Sequence, residues 1–256
     1  MSRYRLLLRE LVARDLKVRY AGSVFGFLWA FVNPVWQLAL YSVVFSLILK
    51  TPLVGEGTTN FPAFLFAGLL PWMAFSEGVL RGTSSIVDSA HLVKKVRFPS
   101  ETVVVSVTLS ALIHAGFAFL LFVLLRLAAG GLFWTALPVM LVGMVGQFAV
   151  TLGLALLLAT ACVFVRDVAH GLQLVVSALF YLTPILYPAA LVPQRFAWAV
   201  DANPLSTVVA AYRAFLLGSR PPEALSLALL ALWGVVALIA GWAVFRRFAG
   251  SFADEL

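Results

Sequence analysis

Charged side chains are scarce in this chain, and those present are clustered. Lys94, Lys95 and Arg97 fall within four positions, and Phe98-Pro99 follows at once. Arg14, Lys17 and Arg19 form a second basic group near the start. Glu77 precedes Arg81 by four residues, a spacing that lets opposite charges meet on one helix face. Such groups suit docking and anion binding better than bond-making. His91, His114 and His170 lie far apart and suggest no ligand set. The single cysteine, Cys162, cannot form an intrachain disulfide, and no Cys/His metal spacing exists. It reads as a small core residue. The sequence has no G-x-x-x-x-G-K-[ST] loop for nucleotide phosphates, no H-E-x-x-H and no G-x-S-x-G. An enzyme would need a polar catalytic cluster, and the sequence offers none.

The elements that must position these charges are apolar. Of 256 residues, 62% are hydrophobic and 11% charged, with a mean hydropathy of +1.02. A soluble domain is about 45–50% apolar. Runs without Asp, Glu, Lys or Arg cover 20–49, 57–76, 102–125, 127–165, 168–194 and 224–245. Each can hold the roughly 20 residues needed to cross a bilayer. The expected fold is therefore an all-α integral membrane protein with six transmembrane helices. The expected spans are about 29–49, 61–80, 102–125, 137–165, 171–192 and 224–245. They divide the chain into an N-terminal segment 1–28, a membrane domain 29–245 and a tail 246–256. No signal peptide is expected, because no short apolar region with a cleavage site follows the first basic residues.

Lysine and arginine orient the spans. With the N-terminus inside, 13 of the 18 basic residues fall in 1–28, 81–101, 166–170 and 246–256. Both termini are then expected to be cytoplasmic. The net charge of +7 reads as topology and contact with anionic lipid, not nucleic-acid binding.

Residues 1–20 suit an amphipathic helix on the membrane surface, with Tyr4, Leu7, Leu8, Leu11 and Val18 on one face. The alternative is a solvated leader. Asn33-Pro34 kinks the first span, which is natural beside a cavity. Glu77 either reaches the interface or faces inward and pairs with Arg81. His114, in mid-span, reads as a hydrogen-bonded packing residue rather than a proton relay. Arg166 and Asp167 read as a solvated turn. Pro184, Pro188 and Pro193 interrupt the end of span five. Asn203 as N-cap, Pro204 at the first helical position and Gly218 as C-cap frame a helix too short to span, expected to be re-entrant or interfacial.

Three stretches carry a resemblance. They are "RDLKVRYAGSVFGFLWAFVNPV" (14–35), "AGLLPWMAFSEGVLRGTSSIVDSAHLVKKVRFPSE" (67–101), and "FYLTPILYP" followed by "NPLSTVVAAYRAFLLG". In this order they resemble the membrane subunit of ABC exporters for lipid-linked polysaccharides, the O-antigen, teichoic-acid and capsule permeases, and O-antigen permeases above the others. The resemblance implies a homodimer in the bacterial inner membrane with two copies of a separate ATPase. ATP and Mg2+ would be held by that partner, and this chain would bind no cofactor. The implied substrate is a long glycan on a lipid diphosphate carrier.

The resemblance makes 82–97 the segment that docks on the ATPase. Residues 82–96 are expected to form a helix, with Ile86, Leu92 and Val93 for apolar contact and Lys94, Lys95 and Arg97 for charge. Ser84, Asp88 and His91 belong to the same candidate surface. The alternative is a plain positive-inside anchor. Arg14, Lys17 and Arg19 are candidates for the carrier diphosphate, the alternative being anionic headgroups. Trp36, Tyr41, Phe45, Phe180, Tyr181 and Tyr187, from the proline-broken spans, are candidates for an aromatic-lined glycan pathway; not all six share one helix face. Competing readings are an ABC permease for drugs or small lipids and a stand-alone carrier.

Overall fold

The computed structural model describes residues 2–20, 26–48, 53, 57–95 and 99–256. Its elements are helices: α1 (Ser2–Tyr20), α2 (Trp29–Ser42), α3 (Phe61–Asp88), α4 (Ala90–Lys95), α5 (Glu101–Ala129), α6 (Leu137–Phe164), α7 (Asp167–Leu182), α8 (Ala197–Ala202), α9 (Pro204–Leu217), α10 (Ala224–Phe248) and α11 (Phe252–Glu255). A π-helical turn, Val43–Ile48, continues α2. Among the described residues, four helical segments are long and apolar enough to cross a membrane: Phe61–Asp88, Glu101–Ala129, Trp134–Phe164 and Ala224–Glu255. The expected first and fifth spans correspond to shorter apolar helices.

Helix α3 is the axis. It packs on α5, α6 and α9 and buries Phe64, Leu65, Leu69 and Leu70 almost completely. Pro71, inside it, is met by Gln147 of α6, whose amide donates to the Pro71 carbonyl at 2.7 Å. Helices α6 and α10 approach through small residues. A methyl group on Gly153 would overlap the Ala237 backbone, and one on Gly241 the Gly153 backbone. Gly146 and Gly234, seven residues earlier on each helix, leave room for the Leu230 and Ala149 side chains of the facing helix. Apolar surface drives little association between helices in lipid, so close backbone approach supplies the packing.

Helix α9 is the most enclosed short element, and partners from other segments meet both of its ends. Asn203 Oδ1 accepts from the Leu205 amide at 3.0 Å, and its amide donates to Thr183 at 2.9 Å. At the other end Arg126 Nε donates to the Leu216 carbonyl at 2.9 Å, and the Phe133 amide to the Phe215 carbonyl at 3.0 Å. Gly218 ends the helix in the left-handed region at φ 73°, which glycine adopts freely. This is the capped helix expected over 204–217. Backbone groups at membrane depth need such internal partners.

Two expected boundaries shift. Helix α7 ends at Leu182 rather than near 192, because Pro184 cannot continue it. Helix α3 runs past residue 80 to Asp88, so no single helix covers 82–96. Gly82, Thr83, Ser85 and Ile86 are buried there, and Gly82 packs on Ala155 of α6. That packing extends α3 by two turns before the break at Ser89, and α4 follows as a separate short helix.

Ile86, Val163, Phe245 and Phe252 share one core cluster, and α11 contacts α4. Leu8 of α1 shares a groove with Pro99 and Arg246. Four basic segments of the sequence therefore meet at one end of the molecule. Replacing Gly241 by leucine should separate α6 from α10 and destabilise the fold by about 1–3 kcal/mol or more, as overpacking does. Thermal unfolding of the purified protein in detergent checks this, with an exposed control such as Val236→Leu unchanged.

Candidate functional site

Helix α1 does not lie across the bundle; it runs alongside α5 in parallel register. Asp15 meets Ser110 and Arg19 meets His114, each pair 95 positions apart. Val12 is buried on the same side, whereas Val18 is 63% exposed. At about 100° per residue, Leu8, Val12, Asp15 and Arg19 form one stripe. The packed face therefore changes from apolar to charged along its length. This differs from the apolar face expected from sequence, which included Val18.

The charged half of that stripe completes a six-residue polar cluster. Arg81 of α3 grips Asp15 with both Nη atoms, at 3.0 and 2.5 Å. Ser110 donates to Asp15 Oδ2 at 2.5 Å, and Arg19 Nη2 lies 3.5 Å from the same oxygen. Arg19 Nη1 is in close contact with Glu77 Oε1, which lies 3.5 Å from Arg81 Nη1. His114 Nδ1 is 2.8 Å from Glu77 Oε2 and 2.6 Å from Arg19 Nη1. One ring nitrogen cannot donate to the first and accept from the second at once, so the His114 tautomer selects the partner. Two carboxylates and two guanidinium groups balance. Burial disfavours the Asp15 carboxylate, but the hydrogen bonds from Arg81 and Ser110 and the charges of Arg81 and Arg19 outweigh it and hold its pKa below the ordinary value.

Helix rise places this cluster. Counted from Phe61, Glu77 lies about 24 Å and Arg81 about 30 Å along α3. Counted from Ala129, Ser110 lies about 28 Å along α5. The hydrocarbon core is about 30 Å thick, so the cluster lies about one membrane thickness from the far ends of α3 and α5. Glu77 thus takes the inward, paired alternative, with Arg19 and His114 as partners besides Arg81. Sequence spacing found the Glu77–Arg81 pair. It missed Asp15 and Ser110, whose only signal was a carboxylate and a hydroxyl facing each other across 95 residues.

Of the three basic residues near the start, only Arg19 belongs to the cluster. Arg14 and Lys17 are exposed and lie on roughly the opposite side of α1. In the 82–97 segment, Ile86 is fully buried, His91 and Lys94 are exposed, and Leu92 is half-buried. Ser84 donates to Asp88 at 2.6 Å. The side chain of Lys95, and Arg97 altogether, lie outside the described residues.

Three of the six aromatic candidates meet in one groove of about 290 Å3 between α2, α3 and α7. Tyr41 stacks on Phe180 at 6.1 Å, and Phe180 packs edge-on to Tyr181 at 5.3 Å. Trp72, not among the candidates, closes the group at 5.4 Å from Phe180, and Gln37 and Ser76 add polar atoms. Tyr187 is adjacent, its hydroxyl donating to the Tyr181 carbonyl at 2.8 Å. Phe45 stacks instead on Phe61, and Trp36 points outward, 67% exposed. A second buried cation, Arg213 of α9, donates to the Pro184 and Ile185 carbonyls at 2.8 Å each and lies over the Phe64 ring. It ties the broken end of α7 to α9 through carbonyl dipoles and a π face.

Long apolar helices, an internally balanced ion cluster shared by three helices, and a sequence without a nucleotide-phosphate loop define a multi-pass membrane protein that does not itself carry the usual ATP motif. The chain belongs to the ABC-2 type transporter family, which matches residues 7–217, and is thus a transporter's membrane subunit rather than an enzyme. Over its whole length it is 35% identical to the O-antigen export system permease protein RfbA of Myxococcus xanthus, covering 97% of that protein. It is 30% identical to the RfbA of Klebsiella pneumoniae over 98% of this chain and 95% of the relative. The polysialic acid transport protein KpsM of Escherichia coli is 23% identical over 94% and 93%.

Replacing Asp15 by Asn, or Arg81 by Gln, should each destabilise the protein by about 1.5–3 kcal/mol, the range for hydrogen bonds to charged groups. The double substitution should cost less than the sum, because the pair is lost once. Melting curves of the four proteins check this. Since the Asp15 pKa is lowered on folding, its contribution is complete above the unfolded carboxylate value of about 3.9. It disappears as pH falls through the depressed value, so the Asp15→Asn deficit should be constant from pH 5 to 8.

Proposed function

We propose that this chain is the permease subunit of an ATP-driven exporter that moves a lipid-linked polysaccharide, of O-antigen type, across the bacterial cytoplasmic membrane. The observation that carries this reading is the 35% identity, over the full chain, to an O-antigen export permease. The lower identity to the polysialic acid transporters favours O-antigen over capsule glycan. In this reading the chain spans the membrane six times, α2 and α7 joining the four long helices, and works as a homodimer. Two separate ATPase subunits supply ATP and Mg2+ chemistry. The end that gathers α1, α4 and α11 faces the cytoplasm, in line with its basic residues.

The parts then take roles. Exposed Lys94 and His91, with Lys95, Arg97, Leu92, Ser84 and Asp88, form the ATPase-docking surface; Ile86 anchors it from inside. Motion there enters α3 directly, since α4 follows its end. The ion cluster ties that stretch of α3 to α1 and α5. Arg14 and Lys17 are the open cations for a carrier diphosphate, with Arg19 already engaged by carboxylates. Tyr41, Phe180, Tyr181 and Tyr187 offer weak, interchangeable stacking surfaces to sugar rings, and Trp36 and Phe45 extend the set along α2.

Depletion of the protein should make lipid-linked glycan accumulate on the cytoplasmic side and vanish from the cell surface. Chemical analysis of the accumulated lipid checks this. Unchanged surface glycan after depletion would overturn the reading.

A further inference from the structure

At the end of the molecule opposite α1 and α4 lies a cavity of about 680 Å3 between α8, α9 and the start of α10. This is well within the range of about 300–1,000 Å3 typical of small-molecule sites. Its wall includes Asp201, Ser206, Thr207, Arg213, Arg220 and Glu223. Ser206 is 7% exposed, and its Oγ has no hydrogen-bond partner among the described residues. A buried hydroxyl with nothing to bond is a cost unless something else meets it. The back of the cavity is held rigidly, because Arg213 is tied to the Pro184 and Ile185 carbonyls.

The composition of the wall selects a ligand class. Two carboxylates and two guanidinium groups cancel, so the cavity has no excess positive charge to hold a phosphate. Arg220 and Glu223 pair at the rim at 3.2 Å, both well exposed. Carboxylates accept, guanidinium groups donate, and Ser206 and Thr207 do both. That mixture matches vicinal hydroxyl groups, each of which is donor and acceptor together. Pro184, Val209 and Leu225 supply apolar wall for C–H faces. We propose that this cavity is a saccharide-binding subsite, which takes a short segment of neutral glycan at the end of the permease opposite the ATPase-docking surface. The proposal rests on the export reading for the origin of its ligand, and Ser206 is a buried polar contact for it.

The test uses the full-length chain in nanodiscs, with Cys162→Ser and Ala190→Cys, the new thiol at the cavity lining carrying an environment-sensitive fluorophore. The probes are maltotriose, lipid-free glycan released from the cells' own polysaccharide, and inorganic phosphate. A saturable response to at least one saccharide and none to phosphate is expected. Ser206→Val should raise the midpoint about fivefold, the loss of one hydrogen bond. Glu223→Gln, on the exposed rim where folding is not at stake, should raise it as well. No saturable response to either saccharide overturns the proposal, as does a midpoint unmoved by both substitutions or a response to phosphate alone. Depletion separates the two claims. Accumulated glycan without saccharide binding rejects the subsite alone. Saccharide binding without accumulation rejects the export reading and leaves the cavity a saccharide site.

Discussion

The arrangement of this protein depends on one constraint: a charge carried to membrane depth must bring its own partners. Desolvation makes an unpaired ion costly there. Asp15, Arg19, Glu77 and Arg81 meet that constraint together, since each carboxylate touches both guanidinium groups. Two helices supply the charges and a third completes their hydrogen bonds. Helix α3 gives Glu77 and Arg81, α1 gives Asp15 and Arg19, and α5 closes it with Ser110 and His114. The position and direction of α1 follow, because only a helix running beside α5 presents residues 15 and 19 at the right depths.

The same constraint shapes the opposite end by different means. Arg213 holds two carbonyls freed where Pro184 stops α7. Asn203, Arg126 and the Phe133 amide satisfy the two ends of α9. The proline-broken chain thus supplies acceptors, and the buried arginine meets them with its guanidinium donors. Between these ends the bundle is apolar and held by close packing, with glycines setting the α6–α10 distance.

Composition alone indicated an all-helical membrane protein, and the cap signals at Asn203, Pro204 and Gly218 located α9 to the residue. Those signals are local, and local chemistry survives folding. The extent of α3 was not legible, because nothing in "GTSSIVDS" says that Gly82 and Ile86 will pack on α6. The ion cluster was half legible. Glu77–Arg81 is an i,i+4 pair, but Asp15 reads as one more charge in a basic leader until α5 lies beside it. Likewise Tyr41, Phe180 and Tyr181 were read from their broken helices, while Trp72 of α3 stands out only once α7 packs there. Tertiary partners that are distant in sequence leave no periodic trace.

Taken together, the cluster ties α3 to α1 and α5 just before the basic segment that follows α3. Helix α3 runs as one helix to Asp88, and α4 follows directly after the break at Ser89. The direct measurement is reconstitution of the chain with its ATPase and a lipid-linked glycan in proteoliposomes, following ATP hydrolysis and glycan reaching the far face together. With the wild-type chain both should proceed and depend on each other. With Lys94→Glu and Lys95→Glu combined, in protein shown to insert in the same orientation, the ATPase should bind weakly or hydrolyse ATP without moving glycan. Full export by that variant at the normal cost in ATP would contradict the account.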